Sequence, residues 1–284
     1  MGLINATAML PWAASFKVVR LQCEYCRRSI ALRQMSARKA GIRMRAYWYC
    51  SSSCFVSAAE DELSGMLRVG STQARLLPTV PLGETLVSRG LVARSQLREI
   101  AARQREVGGD LGDLLVREGQ VSEKDVMSAR AGQWGCPVFS VERHVAQPKV
   151  RIPSTLLRLC SALPLHYTEA TNALLVGFVH SIEYALLYAI EQVTGCKTQP
   201  CFITSAFFEA QILQREWIEK NREEESSKEV RFEAAQSPSE IARILCAHGI
   251  QYESDEAVIG KCRDFVWIRL KSGSSEVDLL FRTA

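Results

Sequence analysis

A chain of 284 residues with 47% apolar residues has material for about two or three packed domains rather than one. Its net charge of +4 is too small for bulk electrostatics to select nucleic acid, a membrane surface or an acidic substrate. Ten unevenly spaced cysteines exclude a regular secreted disulfide framework and favour metal ligation in a reducing cytoplasm. Met1 to Phe16 is moderately apolar but has no basic n-region, which argues against a signal peptide. Met1-Gly2 opens like a myristoylation signal, yet Ala6 stands where Ser or Thr is required. No apolar run is long enough to span a bilayer.

The first predicted module covers residues 21–67. Cys23-x-x-Cys26 is followed by Cys50-Ser-Ser-Ser-Cys54, two close thiol pairs separated by a modest loop. Each short turn presents two sulfurs to one centre, the arrangement that suits tetrahedral zinc. Cys23, Cys26, Cys50 and Cys54 are therefore the predicted Zn2+ ligands. Tyr47-Trp48-Tyr49 reads as a strand, and Ser51 to Leu67 as a helix with Cys54 in its first turn. That order resembles treble-clef zinc fingers, with one extra residue in the second knuckle. Arg27, Arg28, Arg33, Arg38, Lys39, Arg43 and Arg45 lie between the knuckles with hardly any acid besides Glu24. With the nearby aromatics, the segment 27–45 offers either a nucleic-acid surface or a solvated basic face around a structural zinc.

Ser71 to Pro81, with Pro78 and Pro81, reads as a linker. From Pro81 to Gln133 one unit is then written twice at a constant offset of 29 residues. Leu82-Gly83 recurs as Leu111-Gly112, Leu86-Val87 as Leu115-Val116, Gly90 as Gly119 and Gln104 as Gln133. Such repeats mark stacked supersecondary units. Within a copy, apolar residues at i, i+4 and i+5 suit a short helix with one buried face. Gly90 or Gly119 ends it in the left-handed conformation, and a second helix follows. In copy two, Ser122 with Asp125 resembles a capping box; copy one has Ala93 in the Ser122 place and a weaker cap. Neither pair buries its face alone, so the two are predicted to pack as a four-helix unit over 81–134.

This doubled LGxxLVxxG…Q resembles the N-terminal domain of type II secretion and type IV pilus assembly ATPases, the MshE-type or GspE N-terminal-like domain. The resemblance continues through Gly135-Cys136-Pro137-Val138, Ile152-Pro153, Leu163-Pro164-Leu165 and Ala173-Leu174-Leu175-Val176-Gly177 to about residue 217, roughly half of the chain. It implies a helical repeat followed by a small α/β part over 135–217. It also implies docking onto the cytoplasmic part of an inner-membrane secretion or pilus component. Some members of that family bind cyclic di-GMP across the paired motifs. Carried over, the nucleotide contacts would be Leu82, Gly83, Leu86, Gln104, Leu111, Gly112, Leu115 and Gln133. Glycine lets backbone approach a ligand, helix starts offer amides to phosphate, and the glutamines could reach a base edge. Ligand-binding members begin the motif with Arg; here Pro81 and Asp110 stand in that place, with Arg89, Arg103 and Arg117 nearby.

Beyond the repeat, Gly135-Cys136-Pro137 breaks the helix and Val138 to Val141 reads as a strand. His144 to Arg151 reads as loop and Pro153 to Cys160 as a short helix entered through proline. Leu163 to Tyr167 and Ala173 to Val179 read as strands turning at Glu169 to Asn172. Ile182 to Val193 is a helix stopped by Gly195, Lys197 to Ile203 a strand, and Ser205 onward a helix. Residues 218–236 read as a charged linker around Glu223-Glu224-Glu225. In 237–284, Ser237-Pro238-Ser239-Glu240 is a complete helix start, running to Gly249. Phe265 to Lys271 and Glu276 to Phe281 alternate in polarity around Ser272 to Ser275 and read as a hairpin. The predicted class is α+β and multi-domain, with a mixed α/β layer in the middle and a small α+β module at the end.

Catalytic signals are weak. A phosphate-cradling GxxxxGK[ST] is absent: the one Gly-Lys is Gly260-Lys261, followed by Cys262, with Asp255 where the first glycine belongs. His144, His166, His180 and His248 form no metal spacing, and the remaining cysteines sit mostly in apolar settings. The chain is expected to be a non-enzymatic adaptor or regulator of a secretion or type IV pilus-like system. It would be cytoplasmic, peripheral at the inner membrane through a partner, carry Zn2+ and sense cyclic di-GMP. The alternative is a zinc-finger nucleic-acid-binding regulator using residues 27–45.

Overall fold

A computed structural model describes residues 20–31, 43–68, 78, 80–139, 150–222, 230–233, 235, 237–273 and 275–283. Several expectations fall outside these described residues: Met1 to Phe16, Arg33, Arg38 and Lys39, most of the 71–81 linker, Ser140 and Val141, His144, and Glu223 to Glu225.

Strands β1 (Arg20–Gln22) and β2 (Ser29–Ala31) form a small antiparallel hairpin, followed by β3 (Arg43–Met44), β4 (Tyr47–Trp48) and helix α1 (Ser52–Arg68). Four helices come next: α2 (Leu82–Ser88), α3 (Arg94–Val107), α4 (Leu111–Arg117) and α5 (Glu123–Trp134). The middle part continues with α6 (Ser154–Leu159), β5 (Ala162–Thr168), β6 (Ala173–Phe178), α7 (Tyr184–Thr194), β7 (Lys197–Phe202) and α8 (Ser205–Arg222). The last stretch holds β8 (Val230–Glu233), α9 (Pro238–Gln251), β9 (Glu256–Cys262), β10 (Phe265–Ser272) and β11 (Ser275–Arg282).

One sheet joins the two ends of the chain. Its order is β4-β3-β9-β10-β11-β8, with β3 parallel to β9 and β11 parallel to β8. Residues 21–67 and 237–284, drawn as separate modules from sequence, thus share backbone pairing, and Arg43 pairs with Glu256. They share a core as well. Phe55, Ala59 and Leu63 of α1 and Ile241, Ala242 and Leu245 of α9 pack on Ile259, Ile268, Leu270, Leu279 and Phe281. β8 and the end of α8 fall within the span expected to be a charged linker.

The opposite sheet face is also covered. Trp267, Leu280 and Cys262 belong to the core of the middle part, together with Leu186, Ile190 and Val193 of α7. Helix α7 lies against β9 closely enough that a Cβ at Gly260 would sit 3.2 Å from the Ala189 carbonyl oxygen. Gly260-Lys261 is therefore strand, not phosphate loop, and Lys261 donates to the Met66 carbonyl at 3.1 Å.

Two polar positions at the centre of β10 and β11 are buried despite the alternation in polarity. Arg269 and Asp278 are 3% and 0% exposed. Asp278 accepts from Arg269 Nε at 2.8 Å and Nη2 at 3.0 Å, and from Trp267 Nε1 at 2.8 Å. Arg269 Nη2 also donates to the Arg151 carbonyl at 2.8 Å, which fastens the sheet to the middle part. A buried charge pair tolerates this setting only because its remaining donors and acceptors are satisfied.

The middle sheet runs β5-β6-β7, antiparallel then parallel. Its register shifts between Pro164 and His166, where proline has no amide to donate. The expected strand at 138–141 is, over the described residues, a single bridge from Val138 to Phe202. Pro153 caps α6 from outside rather than opening it as its first residue.

The four helices α2–α5 enclose their own core of Leu86, Val92, Ile100, Leu114, Leu115 and Ala129. Met127 and Ala131, on another face of α5, belong to the middle core, so α5 serves both.

Gly83 is buried beneath α3, and a Cβ there would meet Leu97 Cδ1 at 2.6 Å, whereas exposed Gly65 in α1 has open space around it. Gly83→Ala must push Leu97 aside, and its overpacking cost of about 1–3 kcal/mol, less a helix-propensity gain of about 0.5–1 kcal/mol, is expected to lower stability by about 1 kcal/mol. Gly65→Ala should raise it by about 0.5–1 kcal/mol through helix propensity. Urea midpoints of the two variants should move in opposite directions.

Candidate metal centre and tandem-repeat site

The first cysteine pair is held by a tight turn between β1 and β2. Arg27 takes a left-handed φ of 61°, and the Cys23 amide bonds the Arg28 carbonyl at 2.9 Å. The second pair straddles the start of α1: the Ser51 hydroxyl accepts from the Cys54 amide at 3.3 Å and caps the helix. The Glu24 amide reaches the Trp48 carbonyl at 3.1 Å and ties one turn to the other, while Tyr49 stacks edge-on against Phe55 at 5.9 Å.

These links bring all four sulfurs within 4.8 Å of one another. Cys26 and Cys50 Sγ are 3.5 Å apart, and Cys50 and Cys54 Sγ 3.8 Å. Tetrahedral zinc with bonds of about 2.3 Å requires sulfur separations of about 3.7 Å, whereas a disulfide needs about 2.05 Å. The donor set fits a tetrahedral metal ion such as zinc.

The thiols also have conflicting ionisation. Burial pushes the Cys23 thiol up, but the amides of Cys26, Cys50 and Tyr25 outweigh it and bring the thiol down to about 6. The Cys50 thiol is raised to about 12 by burial and by the crowding sulfurs of Cys26, Cys23 and Cys54. A divalent cation removes this conflict by holding all four as thiolates.

The basic segment is partly occupied by internal contacts. Arg27 pairs with Glu24 at 3.0 Å, and Arg45 with Glu62 of α1 at 2.8 Å. Among the described members, Arg27, Arg28 and Arg43 are exposed.

In the repeat, both copies close their first helix in the same way. Gly90 and Gly119 each take φ 69°. The Gly90 amide bonds the Val87 carbonyl and the Leu91 amide the Leu86 carbonyl; in copy two, Gly119 pairs with Val116 and Gln120 with Leu115. This is the paired-bond helix stop of a Schellman turn.

The two glutamines occupy equivalent places. Gln104 Nε2 donates to the Gly109 carbonyl at 2.9 Å, and Gln133 Nε2 to the Val80 carbonyl. Gly109 and Val80 are themselves offset by 29 positions, each two residues before a Leu-Gly. Each copy's glutamine therefore grips the entrance of the other copy. Arg89 and Glu118, also offset by 29, each reach the second helix of the other copy, Arg89 at Ser128 (3.4 Å) and Glu118 at Arg103 (2.7 Å), though these partners are not themselves equivalent positions.

The carried-over contacts thus have internal partners. Leu86 and Leu115 are core residues, and Leu82 and Leu111 pack against that core. Gly83 lies under Leu97, and a Cβ at Gly112 would meet Val126 and Arg130 at 2.7 Å. The glycines allow close helix packing rather than an open backbone surface.

Asp110 caps α4 by accepting from the Asp113 amide at 3.1 Å, and its Oδ1 pairs with Arg130. Arg130 is 5% exposed and also donates to the Val179 carbonyl at 2.6 Å. The carboxylate that stands in place of the motif's arginine is held by contacts within the fold. His180, just beyond β6, lies beside Asp110 and Asp113. Burial raises the Asp113 carboxyl above its usual range, with His180 opposing the shift.

Comparison with known proteins gives a matching direction. No protein-family model matches the chain. The type IV pilus assembly ATPase PilB of Thermus thermophilus is 29% identical over 129 residues. The chain is similar there to a pilus assembly ATPase. That match takes in 45% of this chain and 14% of PilB, so the chain spans a small fraction of its relative's length. A structure of MshE with cdg (cyclic di-GMP) shares 22% identity at a TM-score of 0.40, covering 48% of this chain and 98% of that one. The N-terminal domain of XpsE shares 19% at a TM-score of 0.37, covering 46% and 90%. PilB is a pilus assembly ATPase, one of the two kinds of ATPase that the doubled motif resembles.

Sequence order revealed the four cysteines because each pair is local. It missed the Asp110, Asp113 and His180 cluster, whose members come from different elements, and it missed Arg130, whose burial nothing in its helix pattern announces.

Cobalt substitution should place about one thiolate-bound ion per chain. Cys50→Ser should weaken and shift its sulfur-to-cobalt absorption, which scales with the number of bound thiolates, and acidification should release the ion as protons compete for thiolate. An unchanged absorption in Cys50→Ser would refute the assignment.

Proposed function

We propose that this chain is a non-catalytic adaptor or regulator of a secretion or type IV pilus-like system, docking through its tandem helical repeat. The supporting observation is the reciprocal closure of the doubled LGxxLVxxG…Q motif, together with the similarity to a pilus assembly ATPase over 129 residues. The motor's GxxxxGK[ST] does not occur in these 284 residues. On this reading the partner is a protein, a cytoplasmically exposed part of an inner-membrane component. Among the described residues no helix is long and apolar enough to cross a membrane.

The division of labour we infer has two parts. Residues 81–134 and 135–217 form the secretion-ATPase-like unit. Residues 21–67 and 237–284 form a second unit around it, clamped by a treble-clef-like zinc at Cys23, Cys26, Cys50 and Cys54. The zinc is structural, with four protein thiolates and no open position for chemistry.

Cyclic di-GMP binding is a second reading, favoured by the doubled motif and its resemblance to that of nucleotide-binding members. The internal use of Gln104, Gln133, Gly83, Gly112 and Asp110 weighs towards docking, because a ligand would have to displace those contacts. Nucleic-acid binding through residues 27–45 has less support, since Arg27 and Arg45 are already paired.

Affinity capture from native cells should recover inner-membrane secretion or pilus components, and a gel shift with the full chain should be silent. Titration calorimetry with cyclic di-GMP distinguishes the two readings of the repeat. Heat at micromolar ligand, lost in Gln133→Ala, establishes nucleotide sensing; absence of heat together with partner capture leaves docking.

A further inference from the structure

Arg130 pins the start of copy two to the end of β6, and a second link crosses the same seam. Asp110 is the cap of α4 and Asp113 lies in its first turn, while His180 follows β6. Asp110 Oδ2 lies 3.9 Å, and Asp113 Oδ1 3.8 Å, from His180 Nδ1. Both separations are too long for hydrogen bonds. His180 Nδ1 is a buried atom with no hydrogen-bond partner among the described residues, although it faces two carboxylates. Asp110 uses its other oxygen, Oδ1, for the Asp113 amide and for Arg130, which leaves Oδ2 directed at the histidine. Two carboxylates, with Glu123 adding negative charge near Asp113, face one guanidinium, so the cluster is short of positive charge.

We propose that Asp110, Asp113 and His180 form a second metal site, separate from the four-cysteine centre, for a zinc-class divalent transition metal. The three donor atoms lie within 4.8 Å of one another. Metal–nitrogen and metal–oxygen bonds of about 2.0–2.2 Å require donor separations of about 3.3–3.6 Å in a tetrahedron, so the two separations from His180 need close by only a few tenths of an ångström. An imidazole with two carboxylates suits zinc, cobalt or nickel; magnesium and calcium prefer more ligands, all of them oxygen. A fourth position remains for water or a partner's side chain. The ion bolts the repeat to the α/β part beside Arg130, from elements far apart in sequence.

Equilibrium dialysis of the full chain against Co2+ tests this, with optical absorption separating the two kinds of ion. Wild type should take up about two equivalents, one with intense thiolate charge-transfer bands and one with only weak visible bands. His180→Ala and Asp113→Asn should each lose the weak-band equivalent and keep the thiolate-bound one, which also reports that the variants fold. Cys50→Ser should weaken the thiolate bands and leave the weak-band equivalent in place. Uptake of the thiolate-bound equivalent alone in wild type, the outcome if a proton on His180 supplies the missing charge, would overturn the proposal. So would a weak-band equivalent that survives both variants.

Discussion

The constraint on which the rest of the molecule depends is the reciprocal grip of two glutamines. Each helix pair of the repeat is short and amphipathic, and alone would leave its apolar face in water. Gln104 holds the carbonyl before the second Leu-Gly, and Gln133 holds the one before the first. Because the two bonds are related by the repeat's own offset, each copy fixes the entry angle of the other. The leucines of both then meet in one core. That closed unit presents α5 to the middle sheet, where Met127 and Ala131 continue the packing.

A second consequence concerns the ends of the chain. The short β3–β4 ribbon beside the cysteines adds to the edge of the sheet formed by the last three strands. The thiol cluster therefore orders one margin of a six-stranded layer whose other face rests on α7. The Arg269–Asp278 pair, bonded onward to Arg151, seals that contact with charge rather than with hydrocarbon alone. The terminal segments and the middle part of the chain share this seam.

Sequence made the local features legible. The cysteine pairs, the Gly90 and Gly119 helix stops, the Ser122 and Ser237 caps and the hairpin of β10 and β11 each depend on residues a few positions apart. What it obscured depends on distant packing. Asp278 and Arg269 alternate with apolar neighbours like a solvated strand face, yet the middle part of the chain covers them. β9 carries Gly260 and Lys261 as ordinary strand residues, so its period gave little signal. Gly83 and Gly112 are compatible with ligand approach or with helix packing, and only the neighbouring helix decides between them. Asp110 reads as a misplaced anion until Arg130 is seen beside it.

The most direct measurement of the reciprocal closure is amide hydrogen exchange on the full chain carrying Gln133→Ala. If the copies close each other, protection should fall in Leu82–Ser88 of the opposite copy as well as near the substitution. Unchanged protection of that helix, with loss confined to the end of α5, would contradict the mutual grip and the docking unit built on it.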